Sequence, residues 1–152
     1  FHSLAAQIAS WPRVLCHRDY HSRNLMQHAG RLYWIDYQDA RMGPATYDLA
    51  SLLRDSYVTL DEEFVRDRAE EFRQKGAPDE TRETFQQRFE LMSIQRNLKA
   101  LGTFGYMAVI RNNPVYLPYI PGTLAHVKRN LDGHPELSSL AAELRRHLEE
   151  LK

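Results

Sequence analysis

The sequence predicts an α+β fold that is mainly helical, with a small β-hairpin region near the amino-terminal end. Short apolar runs separated by turn residues occupy positions 13–36, and the spacing becomes helical after Pro44. With 152 residues, 43% of them hydrophobic, the chain can bury a core of its own. We find no internal repeat, low-complexity tract or linker, so residues 1–152 are expected to form one unit.

The β-hairpin region follows a predicted helix that ends before Pro12, because proline disfavours helical geometry in the residue before it. Gly30 can take the positive φ of a tight hairpin turn. The elements predicted here are a helix over 1–10 and strands over 13–16, 25–27 and 32–35.

The rest of the chain is predicted to be helical. An apolar stripe at helical spacing begins after Pro44, and three prolines at 114, 118 and 121 mark a connection. Gly76 is expected to stop the second helix of this part. The predicted helices cover about 45–57, 61–75, 78–110, 122–131 and 135–151.

Charge and composition exclude several function classes. Twenty basic and twenty acidic residues cancel, so no global field favours nucleic acid or an anionic membrane. No apolar stretch is long enough for a transmembrane helix, and no signal peptide is recognised. Cys16 has no cysteine partner and is expected to be a small buried strand residue, which fits a reducing compartment. A cytoplasmic protein is therefore expected.

A polar run between the first strand and the hairpin carries the main functional signal. Asp19 is followed by Asn24 five residues later and by Asp36 after twelve more. The predicted hairpin folds Asp36 back beside Asn24. A carboxylate that accepts a hydroxyl proton, together with an amide and a second carboxylate that hold magnesium, is what phosphoryl transfer needs. The spacing favours kinase-type phosphotransfer.

Several spaced motifs carry a resemblance to known enzymes. The run over residues 17–24 followed by Asp36 resembles the catalytic loop and metal-binding aspartate of protein-kinase-like phosphotransferases. The segment over 43–50 is similar to the aminoglycoside phosphotransferase and choline kinase branch. Segments 17–26, 36–40 and 52–55, and more weakly 95–119, resemble the anomeric N-acetylmuramate/N-acetylglucosamine kinases of bacterial cell-wall recycling.

The resemblance implies a role for each residue of the motif. Asp19 would take the proton of the acceptor hydroxyl, while Asn24 and Asp36 would hold Mg²⁺ with the phosphates of ATP. Arg23 would reach the transferring phosphate, with an ordinary exposed arginine as the alternative. Structural support of the loop would come from His17, by packing and hydrogen bonding, and from Asp48, by binding the loop backbone.

The acceptor site is expected among polar residues that follow the motif, since a carbohydrate site needs groups that hydrogen-bond hydroxyls. A second group on the long helix, Arg96, Asn97 and Lys99, could meet the acceptor or an acidic substituent, although a solvated charged face is the alternative. The residues predicted to bind the acceptor are Gln38, Asp39, Arg41, Arg54 and Asp55.

The predicted function is ATP-dependent transfer of a γ-phosphoryl group to a sugar hydroxyl, with an N-acetyl amino sugar as the favoured acceptor. An aminoglycoside or choline/ethanolamine-type kinase is the first alternative. The second is a divalent-metal hydrolase built on His17, Asp19, His21 and His28, and the third is a non-catalytic kinase-like binding module.

The resemblance also implies that residues 1–152 are the C-terminal lobe of a kinase-like phosphotransferase. The sequence contains no Gly-rich phosphate loop and no Walker-type motif. We therefore expect the N-terminal nucleotide lobe to lie outside this chain, the chain alone to be inactive, and the face toward the missing lobe to expose apolar surface.

Overall fold

The computed structural model describes residues 2–151, in which a β region precedes a helical body. The mainly helical α+β fold that the sequence predicts is confirmed. The helices and strands are α1 (His2–Ala9), β1 (Arg13–Cys16), β2 (Leu25–His28), β3 (Arg31–Trp34), β4 (Arg41–Pro44), α2 (Tyr47–Leu53), α3 (Glu62–Gly76), α4 (Arg82–Val109), α5 (Ile120–Asp132) and α6 (Ser138–His147). Short 3₁₀ turns cover Ser22–Asn24, Pro114–Tyr119, Pro135–Leu137 and Glu149–Leu151.

Within residues 2–151 the strands form two small antiparallel sheets. β2 pairs with β3 through a tight turn in which Ala29 and Gly30 both have positive φ, 48° and 74°, the combination that a type I′ hairpin turn requires. β1 pairs with β4, so that Cys16 lies opposite Arg41. The hairpin predicted around Gly30 and the strand predicted over Arg13–Cys16 are both confirmed.

Strand β4 was not predicted, because Gly43 and Pro44 within it are typical of turns. The structure explains how the strand accommodates both residues. Proline is tolerated at the end of a strand at the edge of a sheet. A Cβ on Gly43 would lie 3.0 Å from the Sγ atom of Cys16, so this close approach favours glycine.

The helical body is organised around α4, which packs against α1, α2, α3 and α5. Phe89, Leu91 and Ile94 of α4 are fully buried, at 0% exposure each. They form one apolar core with side chains that include Leu4, Leu53, Val65, Val127 and Leu131. None of the helices in the described part of the chain has both the length and the apolarity to cross a membrane.

Several helix boundaries differ from the predictions for local reasons. α2 ends at Leu53 rather than near residue 57, because the Asp55 carboxylate accepts the backbone N–H of Tyr57 and turns the chain. α4 begins only after Thr81, whose hydroxyl caps the N–H of Thr84. The helix predicted over 135–151 is interrupted near Leu148, where the backbone is extended.

Candidate active site

The loop over residues 17–24 connects β1 to the β2–β3 hairpin and is bound to the helical body at its start. The backbone N–H groups of His17 and Arg18 donate to the two carboxylate oxygens of Asp48, at 2.6 and 2.9 Å. The carbonyl oxygen of Arg18 accepts a hydrogen bond from Nη1 of Arg96, at 2.9 Å. Arg18 has φ of 78°, a left-handed conformation that costs a non-glycine residue about 1–2 kcal/mol. Contacts from α2 and α4 thus hold the residue before Asp19.

A second carboxylate holds the middle of the loop. Oδ2 of Asp55 accepts the backbone N–H of Ser22 at 2.8 Å, and Oδ1 accepts that of Tyr57 at 2.9 Å. Inside the loop, Nδ2 of Asn24 donates to the carbonyl oxygen of Asp19 at 2.9 Å. The main chain of the loop is therefore held by hydrogen bonds to four side chains, those of Asp48, Asp55, Arg96 and Asn24.

The hairpin places Asp36 next to Asn24. The N–H of Ile35 donates to the carbonyl oxygen of Asn24 at 3.0 Å, which makes these two residues neighbours at the end of the β2–β3 ladder. Asp36 follows with φ of 68°, and its Oδ1 accepts from Nε2 of Gln38 at 2.6 Å.

The side chains of Asn24 and Asp36 could together hold a magnesium ion. Because the amide nitrogen of Asn24 is used by the loop backbone, its amide oxygen is the atom left for a ligand. Mg²⁺ prefers oxygen ligands and commonly takes one or two from the protein, with substrate phosphates and water supplying the others. The oxygen atoms of Asn24 and Asp36 are of that kind.

The histidines near the loop do not form a hydrolase-type metal cluster. No group of three or more His, Cys, Asp or Glu residues within 2–151 could hold a metal ion. The ring of His17 meets the edge of Tyr20, and that of His21 meets Tyr57. Burial lowers the pKa of His21, which favours its neutral form.

His17 supports the loop through its main chain and through the packing of its ring. Among the described residues, neither ring nitrogen of His17 has a hydrogen-bond partner. Its contribution to the loop comes from its backbone N–H, bound by Asp48, and from the packing of its ring against Tyr20.

A cleft of about 270 Å³ opens between the loop, the end of α2 and one face of α4. Asp19 and His21 line it from the loop. Facing them along α4 are polar and small residues at the helical spacing i, i+3, i+4 and i+7. The α4 side of the cleft comprises Arg96, Asn97, Lys99, Ala100, Thr103 and Phe104.

Most of the charged side chains that line this cleft already bind other groups of the protein. Arg54 is 5% exposed, and its guanidinium donates to both carboxylate oxygens of Glu62, at 2.7 and 2.9 Å. Asp55 is 4% exposed and has backbone donors on both oxygens. Arg96 stacks 4.5 Å from the ring centroid of Tyr47 while it binds the loop. Arg54 and Asp55, both predicted to bind the acceptor, do line the cleft. Their charged groups, however, form hydrogen bonds with other parts of the protein.

The other predicted acceptor residues lie elsewhere. Gln38, Asp39 and Arg41 are exposed on the β3–β4 connection and its following strand, and none of them lines the cleft. Asp39 and Arg41 pair with each other at 3.9 Å. The structure therefore does not bring these three together with Asp19 in one cleft.

Arg23 points to an aromatic group rather than into the cleft. Its guanidinium carbon lies 3.9 Å from the ring centroid of Tyr57, and Nη2 donates to the hydroxyl of Tyr119 at 2.7 Å. Phe104 and Tyr116 stack beside these rings at 5.4 Å. This contact connects the loop to the 3₁₀ turn before α5.

Sequence reasoning missed Thr103 and gave less weight to Asn97 and Lys99. The signal that could have found them is the polar character of one face of a long helix whose neighbouring faces are apolar. Arg96, Lys99 and Thr103 fall on that face.

Comparison with known proteins identifies the family of the chain. Residues 2–84 match the model of the phosphotransferase enzyme family. An N-acetylmuramate/N-acetylglucosamine kinase from Neisseria meningitidis serogroup B is 39% identical over 147 residues, or 93% of this chain and 44% of that protein. Proteins of the same name from Pseudomonas putida and Pseudomonas aeruginosa are 35% and 34% identical over 134 residues. The chain thus spans less than half the length of these relatives, and it belongs to the phosphotransferase enzyme family.

Proposed function

We propose that this chain is the catalytic and acceptor-binding lobe of an ATP-dependent sugar kinase with a protein-kinase-like fold. One observation carries the proposal: Asp19 lines a small cleft bordered mostly by residues with polar side chains, while Asn24 and Asp36 lie together at the far end of the same loop. Such a loop can meet an acceptor hydroxyl on one side and a nucleotide phosphate on the other.

In the proposed reaction Asp19 orients the acceptor hydroxyl and takes its proton. The Asp19 carboxylate has no hydrogen-bond or ion-pair partner among the described side chains, so its oxygens can accept from a bound hydroxyl. Asn24 and Asp36 would hold Mg²⁺, which when bound neutralises charge on the β- and γ-phosphates. Asp48, Asp55 and Arg96 keep the loop in shape through its backbone.

The cleft supports a neutral or acidic sugar as the acceptor. Its volume is close to the lower end of small-molecule sites, which suits one sugar ring better than a multi-ring aminoglycoside. A polycationic acceptor would need an acidic wall, yet Arg96 and Lys99 line this one. The relatives named N-acetylmuramate/N-acetylglucosamine kinases support an N-acetyl amino sugar.

We also propose that a separate nucleotide lobe covers the β region. Its strands and the β3–β4 connection carry large apolar side chains that are strongly exposed in residues 2–151, among them Leu15 at 73%, Trp34 at 58% and Tyr37 at 66%. Exposed apolar surface of this extent is typical of a covered interface. Turnover should then require the full-length protein.

The test is a kinase assay of the full-length protein with ATP, Mg²⁺ and a panel of N-acetyl amino sugars, an aminoglycoside and choline. We expect phosphorylation of an amino sugar and a loss of at least about 10²-fold in kcat for Asp19→Asn, since a positioned general base contributes about that factor or more. Asp67→Asn, an exposed acid on α3 outside the cleft, is the matched control and should keep its activity. An active Asp19→Asn variant would remove Asp19 from its role.

A further inference from the structure

We propose that Lys99 recognises a carboxylate on the acceptor and so sets the preference between acidic and neutral amino sugars. The inference rests on the proposed function, because it assigns the acceptor's acidic substituent to one wall of the same cleft.

The charge pattern of the cleft singles out Lys99. Arg54 is bound to Glu62, Arg96 to the Arg18 carbonyl, and Asp55 to two backbone N–H groups. Within the described chain, no carboxylate lies within ion-pair distance of the Lys99 ammonium. Lys99 and Asp19 are therefore the ionic groups of this cleft whose charged atoms have no protein partner.

Asp19 and Lys99 lie at different positions along the cleft. Arg96 contacts the loop immediately before Asp19, and Lys99 follows it on the same face of α4. Three residues advance a helix by about 4.5 Å, so Lys99 begins about one turn away from the point where α4 touches the loop. Its four-carbon side chain adds reach. A sugar whose hydroxyl meets Asp19 can thus present a substituent to Lys99.

The chemistry of the two sugars in the relatives' names makes this position informative. N-acetylmuramate carries a carboxylate on an ether substituent, whereas N-acetylglucosamine is neutral. An ammonium donates to a carboxylate more strongly than to a hydroxyl. Lys99 would therefore favour the acidic sugar and contribute little to the neutral one.

The experiment compares kcat/KM for the two sugars in the full-length protein, in wild type and in Lys99→Met. We expect kcat/KM for N-acetylmuramate to fall about tenfold, the factor expected for loss of one hydrogen bond to a charged group. The value for N-acetylglucosamine should change less than about twofold. Lys99→Arg should keep most of the preference, because it keeps the charge.

Lys75→Met is the matched control, since Lys75 is an exposed helical lysine outside the cleft. If Lys99→Met lowers both sugars equally, or neither, the assignment of Lys99 is overturned while the proposed kinase activity stands. If the wild-type protein phosphorylates neither sugar, the proposed function itself fails.

Discussion

The β region and the helical body differ in how their structures are stabilised. The body, from α2 to residue 151, buries an apolar core around Phe89, whereas Leu15, Trp34 and Tyr37 of the β region are largely exposed. The loop that carries Asp19 nevertheless belongs to the β region. Its shape is fixed by hydrogen bonds from the body, made by Asp48, Asp55 and Arg96 to loop backbone atoms. Apolar packing stabilises the helical body, whereas hydrogen bonds from the body position the loop that carries Asp19.

The largest expected effect tests the packing of the body. Phe89→Ala removes a fully buried aromatic side chain from the middle of α4 and should lower the free energy of unfolding by about 3–5 kcal/mol. Urea denaturation measures the change. Phe64→Ala on α3, where the ring is 48% exposed, is the matched control and should cost far less.

The second effect tests the polar contacts. Asp48→Ala leaves the N–H groups of His17 and Arg18 without their acceptor, which should cost about 1–3 kcal/mol. The activity of the full-length protein should fall by more than this loss of stability explains, because the backbone before Asp19 is no longer held in place. Asp67→Ala, an exposed acid on α3, should change neither quantity. Unchanged activity in Asp48→Ala would show that the loop does not need this anchor.

A smaller effect concerns pH. The side chain of His134 lies between Glu90 of α4 and Glu136, at 2.8 Å from each. Hydrogen bonding to Glu90, and then to Glu136, raises the pKa of His134 above its usual 6.5. The resulting stabilisation is complete below about pH 6.5 and is lost as the pH rises through the folded-state pKa.

Unfolding curves between pH 6 and pH 9 test this sign. The wild-type protein should lose stability over that range by more than His134→Gln does. His147→Gln, which alters an exposed histidine of α6, should follow the wild type. Equal pH slopes for wild type and His134→Gln would contradict the assignment.

The smallest effect belongs to the exposed strands. Trp34→Ser replaces a side chain that is 58% exposed, and a surface substitution of this kind should change the unfolding free energy of the isolated chain by about 0.5 kcal/mol or less. In the full-length protein the same substitution should lower the unfolding free energy by more than this if another lobe covers Trp34. Equal small costs in both would count against a covering lobe.

Local pattern was sufficient for the helices, the Gly30 hairpin and the approach of Asn24 to Asp36, because each depends on neighbouring residues. It was insufficient where distant residues decide. Strand β4 is specified by its pairing with β1, and the end of α2 by the polar contacts of Asp55.

The same distinction holds for the site. Spacing alone predicts which residues the loop contributes to the candidate site, but it does not predict which residues line the cleft. The predicted residues Gln38, Asp39 and Arg41 follow the motif in sequence, while the cleft wall comes from α4, far along the chain. Tertiary packing of α4 against α2 creates that wall.

The distant partners that hold the left-handed backbone at Arg18 predict that the loop over residues 17–24 takes its shape late in folding. Its partners Asp48 and Arg96 are 30 and 78 residues away, and such distant contacts form only once the helices have docked. A compact state with its helices intact but loose packing would lack the restraints on Arg18. On gentle denaturation of the full-length protein, the proposed kinase activity should therefore disappear before the helical circular dichroism signal does.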